Sequence, residues 1–318
     1  MTTAIEVRNV SKKYGHNLAV DDISFAVPTG SLCGFLGPNG AGKSTTIRMI
    51  MSIIYPDSGT ILARGGSALD SKDRIGYLPE ERGIYRKMRV GEFLGYIARL
   101  KGIDGRSTRR LAEEWLERME LPGVLRKRCQ ELSKGMQQKV QFIATIMHDP
   151  ELIILDEPFS GLDPVNANLL GRVIHELNDE GRTIIFSTHV LHQAERICDR
   201  VLMINRGNIV LDDTMEGLRR TFDPSTILVR AAEPVDRLVA ASESLPGVLE
   251  IQAQKDGHTA EIVLERGEER LDRIDPQLIT RVSELTAVNS LELRRPTLDD
   301  IFVSLVGTSI SEAEKLEA

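Results

Sequence analysis

The stretch that most restricts the possible folds of this chain is Leu32–Thr45, with the sequence LCGFLGPNGAGKST. It begins as a short apolar strand, continues as a glycine-rich loop and leads into an apolar-periodic helix that is predicted to continue as far as Ile54. The first backbone N–H groups of a helix have no partner within the helix, so they can bind an anion. The order strand, glycine loop, helix therefore predicts an α/β fold with a phosphate-binding site at the loop.

The loop has the spacing G-x-x-x-x-G-K-S, which suits a nucleoside triphosphate. Its glycines let the backbone wrap closely around the phosphates, in conformations that a β-carbon would hinder. Lys43 would reach the β- and γ-phosphates, and the Ser44 hydroxyl would bind Mg²⁺. The predicted nucleotide-binding residues of the loop are Gly37, Pro38, Asn39, Gly40, Ala41, Gly42, Lys43, Ser44 and Thr45.

The composition limits the class of protein. The 318 residues are enough for one large domain and a smaller one, and 41% hydrophobic with 27% charged residues is ordinary for a globular chain. A net charge of −7 gives no indication of a nucleic-acid partner, and three cysteines without paired spacing indicate neither a disulfide framework nor a metal site. We find no signal-peptide pattern and no apolar run of the about 18 residues that a membrane span needs, so we expect a cytoplasmic protein.

A second informative stretch is the uninterrupted apolar run Leu152–Leu155, which is followed by Asp156 and Glu157. Such a run is typical of a strand that is covered on both faces. In nucleotide hydrolases, the first acid after this strand completes the Mg²⁺ shell, and a second acid is placed to polarise an attacking water. The two carboxylates predict hydrolysis of the bound triphosphate.

Two more polar residues follow predicted strands. Glu80 follows the strand that begins at Arg74 and is either an exposed loop residue or a group beside the phosphates, because parallel sheets bind ligands at the carboxyl ends of their strands. The pattern alone does not choose between the two. His189 follows the run Thr183–Ser187. A lone histidine after a strand is usually structural, but this is the third polar group at such an end, so it is a candidate contact of the γ-phosphate.

Between these strands the periodicity becomes helical, which predicts an inserted helical subdomain at about residues 85–150. Within it, Ser133 precedes a helix and is a candidate N-cap; Ser133 and Gly135 fit both an ordinary cap and a second anion site. Near the N-terminus, Tyr14 fits either a surface tyrosine in a turn or an aromatic ring that stacks on adenine.

Taken together, these motifs resemble those of ATP-binding-cassette (ABC) ATPases in order and spacing, over roughly residues 3–220. The motifs are Gly37–Thr45, Leu132–Met136, Leu152–Glu157, Ser160–Asp163 and His189. The resemblance implies a P-loop fold that binds ATP and Mg²⁺, with Tyr14 on the adenine ring and Asp156 as the second Mg²⁺ partner after Ser44. It also implies that Glu157 is the catalytic base and that His189 senses the γ-phosphate.

The same resemblance implies a partner. In this family the loop that contains Ser133 and Gly135 completes the ATP site of the opposite subunit, and the loop at Asp163 couples the two sites. A chain with one cassette would therefore pair with a second copy, or with a close cassette partner, around two ATP molecules. Two residues depart from the family pattern: Glu80 replaces a glutamine that senses Mg²⁺ and the membrane partner, and Lys134 makes the signature LSKGM instead of LSGGQ. We keep Glu80 as a candidate metal-binding and catalytic residue.

The C-terminal hundred residues have a different pattern. The predicted order β-α-β-β-α-β is that of a ferredoxin-like unit, and it contains no catalytic constellation. The segment Pro296–Gly307 resembles the tail motif of bacterial exporter ATPases of the sodium-efflux and daunorubicin-resistance type, whose permease is a separate membrane chain. We predict an ATPase domain over residues 1–222, an accessory α+β domain over 223–307 and a flexible tail over 308–318.

These expectations combine into one function. The chain is expected to hydrolyse ATP with Mg²⁺ and to drive a separate permease, as an exporter subunit at the inner face of the cell membrane, with no nucleic-acid partner. The alternatives are an ABC ATPase without a transport role, such as those of translation or DNA repair, and a non-catalytic ATP-gated regulator.

Overall fold

The computed structural model describes residues 2–81, 83–222, 226–264, 274–294 and 296–306. The chain divides into two compact units, Met1–Met215 and Glu216–Ala318. The predicted domain boundary at Asp223-Pro-Ser and the predicted tail, 308–318, lie outside the described residues.

Strands account for most of the buried apolar runs. In chain order the strands of the described residues are β1 Thr3–Tyr14, β2 Asn17–Pro28, β3 Leu32–Leu36, β4 Ser58–Ala63, β5 Ile75–Leu78, β6 Leu152–Asp156, β7 Thr183–Thr188, β8 Arg200–Asn205, β9 Asn208–Thr214, β10 Thr226–Ala231, β11 Val248–Ala253, β12 Thr259–Leu264 and β13 Val288–Arg294.

The α-helices of the described residues are α1 Lys43–Ile50, α2 Val90–Leu100, α3 Gly105–Arg118, α4 Lys134–Ile146, α5 Pro164–Asp179, α6 Leu191–Ile197, α7 Met215–Thr221, α8 Asp236–Ala240 and α9 Pro276–Leu285. Residues 298–306 are also helical.

The helix after the glycine loop is shorter than predicted. The prediction that it continues as far as Ile54 is wrong, because α1 ends at Ile50. Ser52 has a φ of 55°, which lies in the left-handed region and cannot continue a right-handed helix. The apolar spacing persists beyond the helix because Ile54 still packs, partly buried, against the core.

The main sheet of the first unit has the strand order β5-β6-β7-β3-β8-β9. The first five of these strands are parallel to their neighbours, and β9 is antiparallel to β8. Every residue of β3, β6 and β7 is buried, as the apolar runs predicted. Since these three strands are neighbours, the segments that follow them meet at one edge of the sheet. The predicted α/β fold is confirmed.

A second sheet packs against the first. It is antiparallel with the order β2-β1-β4, and its apolar side chains join those of the main sheet and of α1 in one core. The Phe25 ring of β2 lies 5.8 Å from the Phe35 ring of β3, between ring centroids. Ile47 and Ile50 of α1 are fully buried in the same core. Helix α1 is thus packed into the core that the two sheets share.

The segment between β5 and β6 contains α2, α3 and α4 and, in its described residues, no strand. Phe93 and Leu94 of α2 and Leu116 of α3 are almost inaccessible to solvent, and α4 is buried on all sides over residues 138–146. No helix in the described part of the chain is long and apolar enough to cross a membrane.

The second unit is an α+β fold. Between α7 and the helix at residues 298–306, its strands and helices follow the order β10-α8-β11-β12-α9-β13, and the sheet, with the order β11-β12-β10-β13, is antiparallel throughout. This is the split arrangement of a ferredoxin-like unit, as predicted. Its core is made by apolar residues of the central strands and helices, among them Val229, Ile262 and Val282.

One histidine of the first unit is held in a neutral form by its surroundings. His148 lies after α4 with Nε2 3.3 Å from the carbonyl oxygen of Ile75, and its Nδ1 is buried with no hydrogen-bond partner in the described residues. The Lys101 amine donates to the same carbonyl at 2.8 Å. Burial, together with the positive charge of Lys101, lowers the pKa of His148 from 6.5 to about 4.

This pKa predicts a loss of stability in acid. The unfolded chain takes up the proton near pH 6.5 and the folded chain only near pH 4, so protonation favours unfolding between these values. Allowing for the partial exposure of the ring, we expect His148 to account for about 2 kcal/mol of the stability lost over this window. Urea unfolding of the wild type and of His148→Gln at about pH 7.5 and pH 4.5 measures it. The variant should lose less stability than the wild type, and equal losses would contradict the assignment.

Candidate functional site

The glycine loop connects β3 to α1 in a conformation that its sequence requires. Gly37 has a φ of 154°, and a β-carbon there would lie 2.2 Å from the carbonyl oxygen of Ile204. Gly42 has a φ of 111°, and its β-carbon would lie 2.6 Å from the carbonyl oxygen of Ala19. Both positions therefore exclude side chains, by backbone conformation and by close approach of a neighbouring strand.

Lys43, the first residue of α1, is buried under this loop with 6% of its surface exposed. Its amine donates to the carbonyl oxygens of Gly37, at 2.7 Å, and Pro38, at 3.0 Å. Burial lowers the pKa of Lys43, while the negative charges of Glu157, Asp156 and Glu80 act in the opposite direction. The amine is thus held inside the loop, where an incoming phosphate would compete with the two carbonyl oxygens for it.

Asp156 ends β6 and is 1% exposed. Its Oδ1 accepts a bond from the Ser44 hydroxyl at 3.4 Å and a short bond from the Ser187 hydroxyl of β7. Its Oδ2 is buried and has no partner in the described residues. A buried carboxylate oxygen without a partner is costly, and oxygen ligands of this kind are those that Mg²⁺ prefers. Ser44 and Asp156 therefore fit a magnesium ion.

Glu157 follows directly and is paired with His189. The imidazole Nδ1 lies 2.8 Å from Glu157 Oε1. The carboxylate is largely buried and the imidazole is half-exposed. Glu157 has a φ of 49°, an unfavourable conformation for a residue with a β-carbon, and its N–H is fixed by the Ser187 hydroxyl at 3.1 Å. A carboxylate held in this way by an imidazole can accept a proton at a defined position.

These groups surround a cleft of about 380 Å³. Of the predicted site residues, those that line it are Tyr14, Asn39, Gly40, Gly42, Lys43, Ser44, Thr45, Glu80 and Glu157. Tyr14 is 48% exposed, with the Lys12 amine 5.7 Å from its ring centroid, so part of the ring is accessible to a planar group. Asp156 lies beneath the cleft and is hydrogen-bonded to Ser44. His189 contacts Glu157, which lines the cleft. Gly37 and Ala41 are buried, and Pro38 is exposed; these three residues of the loop do not line the cleft.

Three predicted residues do not reach this cleft within the chain. Ser133 caps α4, accepting a bond from the N–H of Met136 at 3.2 Å. Asp163 caps α5, accepting a bond from the N–H of Asn166 at 2.9 Å. Gly135 lies beside the loop that precedes α5, since a β-carbon on it would be 3.4 Å from Leu162 Cδ2.

The structure also adds residues that the sequence analysis missed. Asn17 and Ala19 line the cleft from β2, and Ser187 joins Asp156 to Glu157. A signal for Ser187 was available, because it is a polar residue near the end of the otherwise apolar run of β7. Asn17 could have been found only by pairing the first two strands, which places it opposite Tyr14.

Comparison with known proteins identifies the family. The chain matches the family described as ABC transporter over residues 20–160. It is 36% identical over 304 residues to the uncharacterized ABC transporter ATP-binding protein YhaQ of Bacillus subtilis (strain 168), and this match covers 95% of the chain and 98% of the relative. The chain belongs to the ABC transporter ATP-binding proteins.

Two further matches extend this assignment. The linearmycin resistance ATP-binding protein LnrL of the same organism is 30% identical over 317 residues, covering 97% of this ABC protein and all of LnrL. A solved structure of an ATP binding subunit of an ABC transporter superposes with a TM-score of 0.64 and 32% identity, over 69% of this chain and 93% of that one. Residues 214–306 match the C-terminal domain of DrrA1-3-like ATP-binding proteins. The resemblance seen in the motifs is confirmed, and the first unit is an ABC ATPase domain, which binds ATP.

The loop conformation leads to a prediction about two of its glycines. Gly37→Ala adds a β-carbon that overlaps a backbone oxygen and should destabilise the fold by about 3 kcal/mol. Gly40→Ala is the matched control: its φ is 79°, but nothing lies within 4 Å, so only backbone strain of about 1 kcal/mol is expected. Urea unfolding followed by circular dichroism compares them. Equal losses in the two variants would show that the close approach at Gly37 is unimportant.

Proposed function

We propose that this chain is the subunit that hydrolyses ATP in an exporter whose membrane pathway belongs to a separate permease. The observation that carries the proposal is the carboxylate of Glu157, fixed by His189 at the wall of a cleft that also contains Lys43 and Ser44. The proposal places the chain at the inner face of the cell membrane, docked on the permease, without a nucleic-acid partner.

The nucleotide would bind along the cleft. Its adenine would stack on the exposed ring of Tyr14, and its phosphates would accept hydrogen bonds from the loop N–H groups and from the Lys43 amine. Ser44 and Asp156 would hold Mg²⁺, with Glu80 at the rim as a further carboxylate. When bound there, the ion would neutralise negative charge on the phosphate oxygens.

In the reaction, Glu157 accepts a proton from a water molecule as the water oxygen attacks the γ-phosphorus. The bond from the γ-phosphorus to the bridging oxygen breaks and its electron pair leaves with ADP. His189, through its contact with Oε1, keeps the carboxylate oriented, and its exposed ring would meet the γ-phosphate. Lys43 donates hydrogen bonds to the phosphate oxygens as their charge shifts.

A second copy, or a close cassette partner, would complete the site. Ser133, Gly135 and Asp163 lie outside the cleft of their own chain, and Ser133 stands at the N-terminus of α4, where N–H groups favour an anion. We propose that this end of α4 covers the γ-phosphate bound to the partner, so that two chains enclose two ATP molecules.

Export is supported by the relatives and by the C-terminal unit. The match to LnrL is to a protein of linearmycin resistance, and the second unit matches the C-terminal domain of DrrA1-3-like proteins. In the tail motif, Leu298 and Ile301 are buried and Val303 is 67% exposed. The transported substrate would be selected by the permease.

Removal of the proposed base is the direct test. Glu157→Gln keeps the size of the side chain but cannot accept a proton, so ATP hydrolysis should fall by about a hundredfold or more. Binding of Mg²⁺–ATP should stay within about threefold of the wild type, because the amide still fits the cleft. Phosphate release and isothermal titration calorimetry measure the two quantities. Glu113→Gln, on the exposed face of α3, is the control and should hydrolyse ATP at the wild-type rate. A Glu157→Gln enzyme that keeps its rate would refute the mechanism.

Mixing of two inactive variants tests the shared site. Lys43→Met damages the cleft, and Gly135→Asp places a carboxylate where the partner's phosphate would lie. Each variant alone should be inactive, but a mixed dimer has one intact site, formed by the cleft of one chain and the α4 end of the other. After equal mixing, half of the dimers are mixed and one of their two sites is intact, so about a quarter of the wild-type rate should return. If no activity returns, the proposed exchange of residues between subunits is wrong.

A further inference from the structure

Helix α4 buries polar side chains that take no part in the mechanism above. Gln138 and Lys139 are each 4% exposed, and Gln141 and Thr145 are each 5% exposed. Burial of a polar group is unfavourable unless it forms hydrogen bonds, so the partners of these side chains indicate what they are for.

The Gln138 amide is hydrogen-bonded to Pro158, the residue that follows the proposed base Glu157. Its Nε2 donates to the carbonyl oxygen of Pro158 at 3.0 Å, and both groups are buried. On the other side, the hydroxyl of Ser187 fixes the N–H of Glu157 at 3.1 Å. Glu157 has a positive φ between these two anchors. A conformation of this kind persists only where the surroundings hold it, so the bond from Gln138 is one of the contacts that maintain it.

The Lys139 amine holds the other end of the same turn. It donates to Oδ1 of Asn166 at 2.7 Å. Asn166 donates in turn to the Asp163 carboxylate, from its N–H at 2.9 Å and from its Nδ2 at 2.6 Å. Burial lowers the pKa of Lys139, and the negative charges of Glu120 and Asp163 act against this shift. The amine donates a hydrogen bond in either protonation state.

We propose that Gln138 and Lys139 are positioning residues for Glu157. They fasten both ends of the turn 158–166 to α4, and so fix the direction in which the turn leaves Glu157. This inference rests on the proposed function, because it assumes that Glu157 is the base. The same helix has Ser133 and Gly135 at its N-terminus. If a partner displaced that end of α4, the hydrogen bonds of Gln138 and Lys139 would therefore transmit the movement to the base in the chain's own cleft.

The first variants remove one hydrogen bond each. Gln138→Met keeps the length and burial of the side chain but leaves the carbonyl of Pro158 without its donor. We expect kcat to fall by about tenfold to a hundredfold, while the Kd for Mg²⁺–ATP stays within about threefold, because the groups that contact the nucleotide are unchanged. Lys139→Met should lower kcat by about tenfold, and Lys139→Arg, which keeps a donor, should restore most of the rate.

The control separates positioning from loss of stability. Val140→Ala removes two methyl groups from a fully buried residue of the same helix, without altering any hydrogen bond to the turn. All variants are assayed at a temperature at which circular dichroism shows them folded, with kcat from phosphate release and Kd from calorimetry. Val140→Ala should keep the wild-type kcat.

The outcomes are distinct. The inference is overturned if Gln138→Met and Lys139→Met keep the wild-type kcat, if Val140→Ala lowers kcat equally, or if Kd weakens in parallel with kcat. A wild type that hydrolyses ATP together with any of these results refutes only the positioning role. A wild type without ATPase activity refutes the proposed function, and the inference with it.

Discussion

The site depends on the buried carboxylate of Asp156. It joins three elements that are far apart in sequence, because β6 supplies the aspartate, α1 supplies the Ser44 hydroxyl and β7 supplies the Ser187 hydroxyl. A carboxylate that is 1% exposed is unfavourable in a protein interior unless donors or a cation surround it. Two hydroxyls satisfy one of its oxygens, and the other is unpartnered in the described residues. The fold therefore places a buried carboxylate where the proposed mechanism has a metal ion, and its charge also acts on the Lys43 amine.

Much of this arrangement follows from local sequence combined with one rule of topology. The glycine spacing, the apolar run before Asp156 and Glu157, and the run before His189 each predict a strand that ends in a polar group. The strand order β6-β7-β3 brings those ends together, although no single motif contains that order. The length of α1 was predicted less well, because apolar spacing continues past Ser52, where the backbone leaves the helical conformation. Residue patterns report which side chains face the core, and the chain can keep facing the core after the helix has ended.

The residues that sequence reasoning missed have another physical origin. Gln138 and Ser187 form hydrogen bonds to segments that are distant in the chain, and Asn17 lines the cleft from another strand. A glutamine in an amphipathic helix has the same local pattern whether its amide faces solvent or a buried carbonyl. Its role becomes visible only with the turn that it contacts. Ser133, Gly135 and Asp163 are a different case, since their expected roles come from family resemblance and involve a second chain.

The conformation of Glu157 explains why so many bonds converge on one turn. Glycine would adopt a φ of 49° with little strain, but it has no carboxylate, so the proposed base at this position carries a cost of about 1–3 kcal/mol. The chain turns immediately after β6, and the Glu157 side chain there lies both beside the cleft and against His189. The strain is offset by contacts on either side: the N–H of Glu157 bonds to Ser187, its carbonyl accepts from the N–H of Ser160 at 3.1 Å, and Gln138 holds the next residue. A reactive group in an unfavourable backbone conformation needs a rigid frame, and here α4 provides part of that frame.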